Sequence, residues 1–93
     1  MTRAADDLDR AVQADPSYVA AFVNRANFFN VARKPERALA DANRAMELDP
    51  NLPLVYFVRA SAEAQLNNYD SAIADYSVVI KMRPNFAQTN GAL

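Results

Sequence analysis

The chain has 93 residues, with 10 basic and 11 acidic side chains and a formal net charge of −1, so it is long enough for one domain only. It contains no Cys and no His, which excludes disulfides, thiolate chemistry and the commonest general base and metal ligand. There is neither a basic stripe for nucleic acid nor an apolar run near the roughly 18 residues of a membrane span, so we expect neither partner.

A fixed period organises the sequence. Pro16, Pro50 and Pro84 are evenly spaced, and sliding the chain by one such step gives seven identities in the first sixteen positions. A constant step of this size, about 34 residues, is typical of a solenoid built from stacked helix pairs. Ala is abundant and Gly91 is the one glycine, which favours an all-α fold. We therefore predict a helix-turn-helix solenoid of antiparallel pairs, with residues 1–93 forming a single domain.

The first element is a half repeat. Residues 1–18 match the second helix of a pair without its first, and that helix is expected over Thr2–Ala14. Its apolar positions are Ala4, Leu8, Ala11 and Val12. We expect these side chains to face a missing neighbour, which predicts self-association through Leu8 and Val12 and a homo-oligomer. The alternative is that a strip consisting mostly of alanine is tolerated by a monomer.

Residues 19–52 form the first full repeat. An apolar stripe with helical spacing begins at Phe22, and a second begins at Ala38. Between them lies "ARKPER", where Pro35 suits the first turn of a new helix. Asp49-Pro50 ends the pair, because the residue before a proline is disfavoured in a helix.

Residues 53–86 form the second full repeat. Asn68 is placed to cap a helix starting near Tyr69, and Arg83-Pro84 ends that helix. Residues 87–93 are predicted to be the truncated start of a further repeat.

These positions resemble the tetratricopeptide repeat family. Three sets of residues carry the likeness: Phe22, Ala26 and Phe29 in one first helix; Ala38, Ala45 and Pro50 after it; and Ala72, Tyr76, Val79 and Pro84 in the next repeat. The sequence departs from the family pattern at Glu63, where an aromatic residue is expected, and at Arg33, where the turn often has glycine. The Arg33 turn is therefore expected to be strained or irregular. The resemblance implies an interaction scaffold in which the first helix of each pair lines a concave surface.

The stretch "NRANFFN" supplies the candidate binding residues. Asn24, Asn27 and Asn30 recur at every third position on the inward face that the resemblance assigns to the first helix. An amide both donates and accepts hydrogen bonds, so it can hold a peptide backbone without reading its sequence. In the next repeat, the inward residues Leu54, Phe57 and Ser61 are expected to help bind an extended peptide. The alternative is that the amides are solvated or cap backbone groups between repeats.

Two charged positions could serve either a ligand or the fold. Arg25 and Arg59 could hold ligand carboxylates, but the favoured interpretation pairs them with Asp41 and Asp75 as ordinary exposed ion pairs. The clamp that binds chaperone tails in this family needs Lys and Arg on the inner face. Here its positions read Val23, Val58, Gln88 and Ala92, so that function is not expected. Val58 also breaks the asparagine ladder of some glycosyltransferase solenoids.

No catalytic constellation is present, so we predict no enzymatic activity, no cofactor and no metal. The favoured function is a protein–protein interaction scaffold that binds a peptide or partner segment on its concave face. The alternatives are a self-assembling structural unit and a docking segment cut from a larger enzyme. The polar start "MTRAADDLDR" is not a signal peptide, and a cytoplasmic location is expected.

Overall fold

A computed structural model describes residues 2–82, with side chains from residue 6 onward. All the regular structure in this range is helical, which confirms the all-α fold class. The predicted start of a further repeat at residues 87–93 lies outside the described range. The helices are α1 (Thr2–Ala14), α2 (Val19–Val31), α3 (Pro35–Leu48), α4 (Pro53–Gln65) and α5 (Tyr69–Met82).

The helices repeat with the period of the sequence. The starts of α2 and α4 are separated by one full period, as are those of α3 and α5. Short connections fold each helix back on the one before it. α2 packs on α3 and α4 packs on α5, while α3 and α2 both contact α4 and so join the two pairs. Each pair therefore buries its apolar side against the next, as in a solenoid.

The turn within each pair uses a left-handed residue. Arg33 has φ 64° and Asn67, its equivalent in the next repeat, has φ 66°. This conformation lets the next backbone N–H return to the helix end, from Lys34 to the carbonyl of Phe29 (2.8 Å) and from Asn68 to that of Glu63 (2.8 Å). A side chain with a Cβ is disfavoured there, so the strain expected at Arg33 is present.

Small residues allow the paired helices to approach closely. Ala26 on α2 and Ala38 on α3 are fully buried, and Ala60 and Ala72 are buried at the equivalent positions of α4 and α5. The apolar core lies between successive pairs. Its buried members are Phe22, Val23, Ala26, Ala42, Ala45, Val55 and Val58.

The exposure predicted for Leu8 and Val12 was wrong. Both side chains are partly buried, and Val12 packs against the core. The repeat register explains the error, because Ala42 occupies the position of Leu8 one repeat later and is fully buried. This position faces the following pair rather than the preceding one, so α2 supplies the neighbour that these residues were expected to lack. Leu8 and Val12 are therefore less open than expected, and self-association through them stays a prediction.

Candidate interaction surface

Two of the three predicted asparagines lie on the open face of α2. Asn24 and Asn27 are exposed, and Val31 on the same side is 75% exposed. A helix turns by about 100° per residue, which places these three side chains within about 60° of one another. The buried residues of α2 flank this narrow face or lie behind it, so Asn24, Asn27 and Val31 themselves are open to a partner.

Asn30 differs from the other two, because it was expected to lie on the open concave face with them and is buried instead. It is only 8% exposed, and its Nδ2 donates to the backbone carbonyl of Val58 on α4 at 3.0 Å. The carbonyl of Asn30 in turn accepts a hydrogen bond from Nε2 of Gln65 at 2.9 Å. Asn30 thus joins the first helices of the two repeats, which is the bridging role that the alternative interpretation described.

On α4 the exposed candidates are apolar. Leu54 is 47% exposed and Phe57 is 39% exposed. Ser61 is partly buried, and its Oγ donates to the carbonyl of Phe57 at 3.1 Å and lies 3.4 Å from the hydroxyl of Tyr76. The Phe57 and Tyr76 rings are in contact, with centroids 5.8 Å apart. Ser61 therefore has little free hydrogen-bonding capacity for a ligand.

Comparing equivalent residues of the two repeats shows which positions lie in the middle of this surface and which lie at its edges. Val58 on α4 is equivalent to Asn24 on α2 and is buried, while Val23 on α2 is equivalent to Phe57 and is also buried. Asn24 and Phe57 are thus exposed because, within the described residues, no further first helix covers their sides. The middle of the open face, which we call the inner wall, consists of Asn27, Val31, Leu54 and Ser61.

The pairing predicted for the two arginines is confirmed. Arg25 donates from Nε and Nη2 to both carboxylate oxygens of Asp41, each at 2.8 Å. Arg59 holds Asp75 in the same way, at 2.9 and 2.8 Å. These are not the exposed ion pairs that were expected, because Asp41 and Asp75 are buried. A buried carboxylate needs both of these bonds.

Each arginine also reaches back to the preceding pair. Nη1 of Arg25 donates to Asp9 on α1 at 3.0 Å, and Nη1 of Arg59 is 3.4 Å from the side-chain oxygen of Asn43 on α3. Asp9 and Asn43 are again equivalent positions of successive repeats. The guanidinium groups therefore brace successive helix pairs.

Glu63 is the unusual ionisable residue of the second repeat. It stands where Phe29 stands in the first, and its Oε1 is buried without a hydrogen-bond partner. Burial, a hydrogen bond to Asp75 and the negative charge of that residue raise the pKa of Glu63 to about 7. Burial alone would raise the pKa of Asp75, but hydrogen bonds from Arg59 and Glu63 and the charge of Arg59 lower it. Below about pH 7 the proton of this pair therefore lies on Glu63, while Asp75 stays ionised.

The spacing of the three asparagines indicates an amide face but does not distinguish Asn30 from the other two, because spacing on one helix carries no information about the helix opposite. Tyr76, one of the positions that carry the family likeness, is 36% exposed beside Ser61. The signal for that exposure was present in the repeat register, which puts Tyr76 at the position where Ala42 faces the next pair.

In the described part of the chain, no helix has both the length and the apolar composition needed to cross a membrane.

Comparisons with known proteins agree with this architecture. Residues 54–86 match the family described as tetratricopeptide repeat. Among solved structures, the chain is similar to one described as the Arabidopsis OM64 TPR domain, at 24% identity over 89% of this chain and 69% of that one, with a TM-score of 0.85. No curated protein sequence matches the chain. The likeness to the solved structure confirms the predicted helical solenoid.

Proposed function

We propose that this chain works as a tetratricopeptide repeat module, since residues 54–86 match that family and its domains are in general protein–protein interaction modules, and that its inner wall binds an extended peptide or partner segment. The proposal assigns the central contact to Asn27 and places Leu54 and Phe57 beside it. Asn24 lies at one edge of the surface. Ser61 contributes van der Waals contact, because its hydroxyl is already bonded to the carbonyl of Phe57.

The observation that supports this proposal most directly is the exposed amide of Asn27 on a face that carries no charge. α2 contacts α4 directly, so the open side of α2 continues into that of α4. One amide can donate to a peptide carbonyl and accept from a peptide N–H, which holds the backbone whatever the side chains are. Leu54 and Phe57 then offer apolar contact to alternate side chains of an extended segment.

The charges of the site define the class of partner. Arg25 and Arg59 are committed to Asp41 and Asp75, and the inner wall contributes no lysine or arginine. A partner that relied on its terminal carboxylate would find no cation on this wall. We therefore propose an internal, largely uncharged segment, whose affinity changes little with salt. That the chain has no enzymatic activity and works in the cytoplasm stays a prediction.

A displayed library of random peptides selected on the full chain tests the proposal. The strongest peptide is then titrated against Asn27→Ala by fluorescence anisotropy. Loss of one amide that bonds the peptide backbone is expected to weaken binding roughly 5- to 30-fold. The matched control is Asn51→Ala, an exposed asparagine in the turn after α3 whose backbone N–H bonds Asp49.

Phe57→Ala is the apolar counterpart, with Tyr18→Ala as its control because Tyr18 is an exposed aromatic residue outside the wall, at the start of α2. Circular dichroism checks that each variant keeps its helicity. If no peptide is enriched on the unaltered chain, or if Asn27→Ala and Asn51→Ala bind the selected peptide equally, the proposed site is rejected.

A further inference from the structure

α5 carries an open apolar stripe that the peptide site does not use. Its members are exposed by 36% to 63%. They recur at i, i+4, i+7 and i+11 and therefore share about 60° of the helix circumference. This α5 stripe consists of Tyr69, Ile73, Tyr76 and Ile80.

The equivalent face one repeat earlier is already a helix-binding surface. Leu39, Ala42 and Met46 occupy the same positions on α3, where Ala42 is fully buried and Met46 packs against the core that α4 completes. The α5 stripe therefore corresponds, one repeat later, to the face of α3 that α4 covers. Among the described residues, no helix covers the α5 stripe. Contiguous exposed apolar surface of this kind marks an interaction site.

We propose that the α5 stripe binds the α5 stripe of a second copy of this chain, with the two helices antiparallel. The steps along the stripe are four, three and four positions, which reads the same in both directions. In an antiparallel pair, Tyr69 therefore lies opposite Ile80 of the second copy, and Ile73 lies opposite Tyr76. Alternating steps of three and four also form the seam of an antiparallel helix pair packed at a shallow angle.

The charges beside the stripe favour the antiparallel arrangement. Asp70 and Lys81 lie on the same flank of α5, about 20° apart around the helix and at opposite ends of it. Two-fold symmetry brings Asp70 of each copy toward Lys81 of the other. A parallel pair would instead place the two copies of this flank on opposite sides of the interface, so that Asp70 of one copy would not meet Lys81 of the other.

The size of the interface predicts a weak dimer. A helix of 14 residues is about 21 Å long, so one pair of such helices buries less surface than a standard stable interface. We expect a dissociation constant on the order of 100 µM, typical of a small contact. This inference goes beyond the peptide site, which lies on the first helices of the pairs.

Sedimentation velocity on the full chain, across about two orders of magnitude in concentration around that value, measures the association. The unaltered chain is expected to shift from monomer to dimer, and Ile73→Asp to remain a monomer throughout. The matched control is Ala74→Asp, which puts the same charge at the neighbouring exposed position on a different side of α5. Ile73 is exposed, so its variant is expected to keep the helicity of the parent, which circular dichroism verifies.

A charge exchange tests the orientation independently. Asp70→Lys and Lys81→Asp each place like charges together at both ends of the antiparallel pair and are expected to weaken the dimer roughly 3- to 10-fold. The double exchange restores opposite charges and is expected to recover most of the affinity. If the double variant stays as weak as either single one, the antiparallel pairing is rejected.

A strict monomer at every concentration overturns the proposal and leaves residues 83–93 or another protein as the occupant of the stripe. A dimer that Ile73→Asp does not weaken overturns it as well, because another surface then forms the contact. The peptide site is tested separately by Asn27→Ala, because Asn27 lies on α2 and away from the stripe, whereas Phe57 contacts Tyr76 of the stripe.

Discussion

Glu63→Gln is expected to remove a pH dependence from the stability of the fold. Glutamine has nearly the same shape as a protonated glutamic acid, and its amide can also donate to Asp75, but it does not ionise. The side chain of Glu63 has its pKa raised to about 7 from the usual 4.5, chiefly by burial and then by Asp75. Between these two pH values, the folded chain therefore holds a proton that the unfolded chain has released.

The sign of the effect follows from this difference in bound protons. Stability falls with rising pH wherever the folded state binds more protons, so the free energy of unfolding decreases from about pH 4.5 to about pH 7 and is level above that. The full difference in pKa would correspond to roughly 3 kcal/mol at 1.36 kcal/mol per pH unit. The carboxyl is partly open to solvent, which screens the interaction, and we expect about 1 kcal/mol.

Urea unfolding of the two proteins at pH 5 and pH 8, followed by circular dichroism, measures this effect. Glu63→Gln should be more stable than the parent by about 1 kcal/mol at pH 8 and nearly equal to it at pH 5. The control is Glu47→Gln, since Glu47 is exposed and forms only a surface pair with Arg44. A stability difference that is the same at both pH values would refute the reasoning, because it would show that the proton on Glu63 is not linked to folding.

Three further substitutions test the packing of the repeats by chemical unfolding. Asn30→Ala is expected to destabilise the fold by about 1–2 kcal/mol, because it removes the side-chain hydrogen bond from α2 to the carbonyl of Val58 on α4, whereas exposed Asn27→Ala should stay within about 0.5 kcal/mol of the parent. Asp41→Asn should cost about 2–3 kcal/mol, since an amide cannot accept both bonds from the arginine. Arg33→Gly should stabilise by about 0.5 kcal/mol, because glycine adopts the positive φ without strain.

Each of these expectations has its own contrary result. Equal stability of Asn30→Ala and Asn27→Ala would mean that the bond between α2 and α4 contributes nothing. A neutral Asp41→Asn would show that the buried carboxylate is not held by its arginine. A destabilising Arg33→Gly would mean that contacts of the arginine side chain outweigh the strain in its backbone.

Much of the fold was predictable because its signals are local or periodic. The regular recurrence of prolines and alanines indicated the helix pairs, and Pro35 marked the first residue of α3. The strain at Arg33 followed from a side chain standing where the turn favours glycine. The pairing of Arg25 with Asp41 was also predictable, since both residues recur together in the next repeat as Arg59 and Asp75.

The candidate site was predictable only in part. Asn24, Asn27 and Asn30 are equivalent in the sequence of α2, but α4 passes beside Asn30 and takes its amide for the carbonyl of Val58. Which of the three amide side chains is exposed therefore depends on where α4 lies. No pattern within a single helix contains that information.

The positions of the helices, the points where they stop and the recurring positions can be read from the amino-acid sequence, because propensity, proline placement and periodicity act along the chain. Which of the recurring positions are covered depends on how the helix pairs stack in three dimensions. Leu8, Ala42 and Tyr76 occupy one repeat position, yet the first two are covered by the helix pair that follows and Tyr76 remains partly exposed. Exposure is set by the neighbouring pair, and in a stacked fold equivalent residues differ according to whether such a neighbour is present.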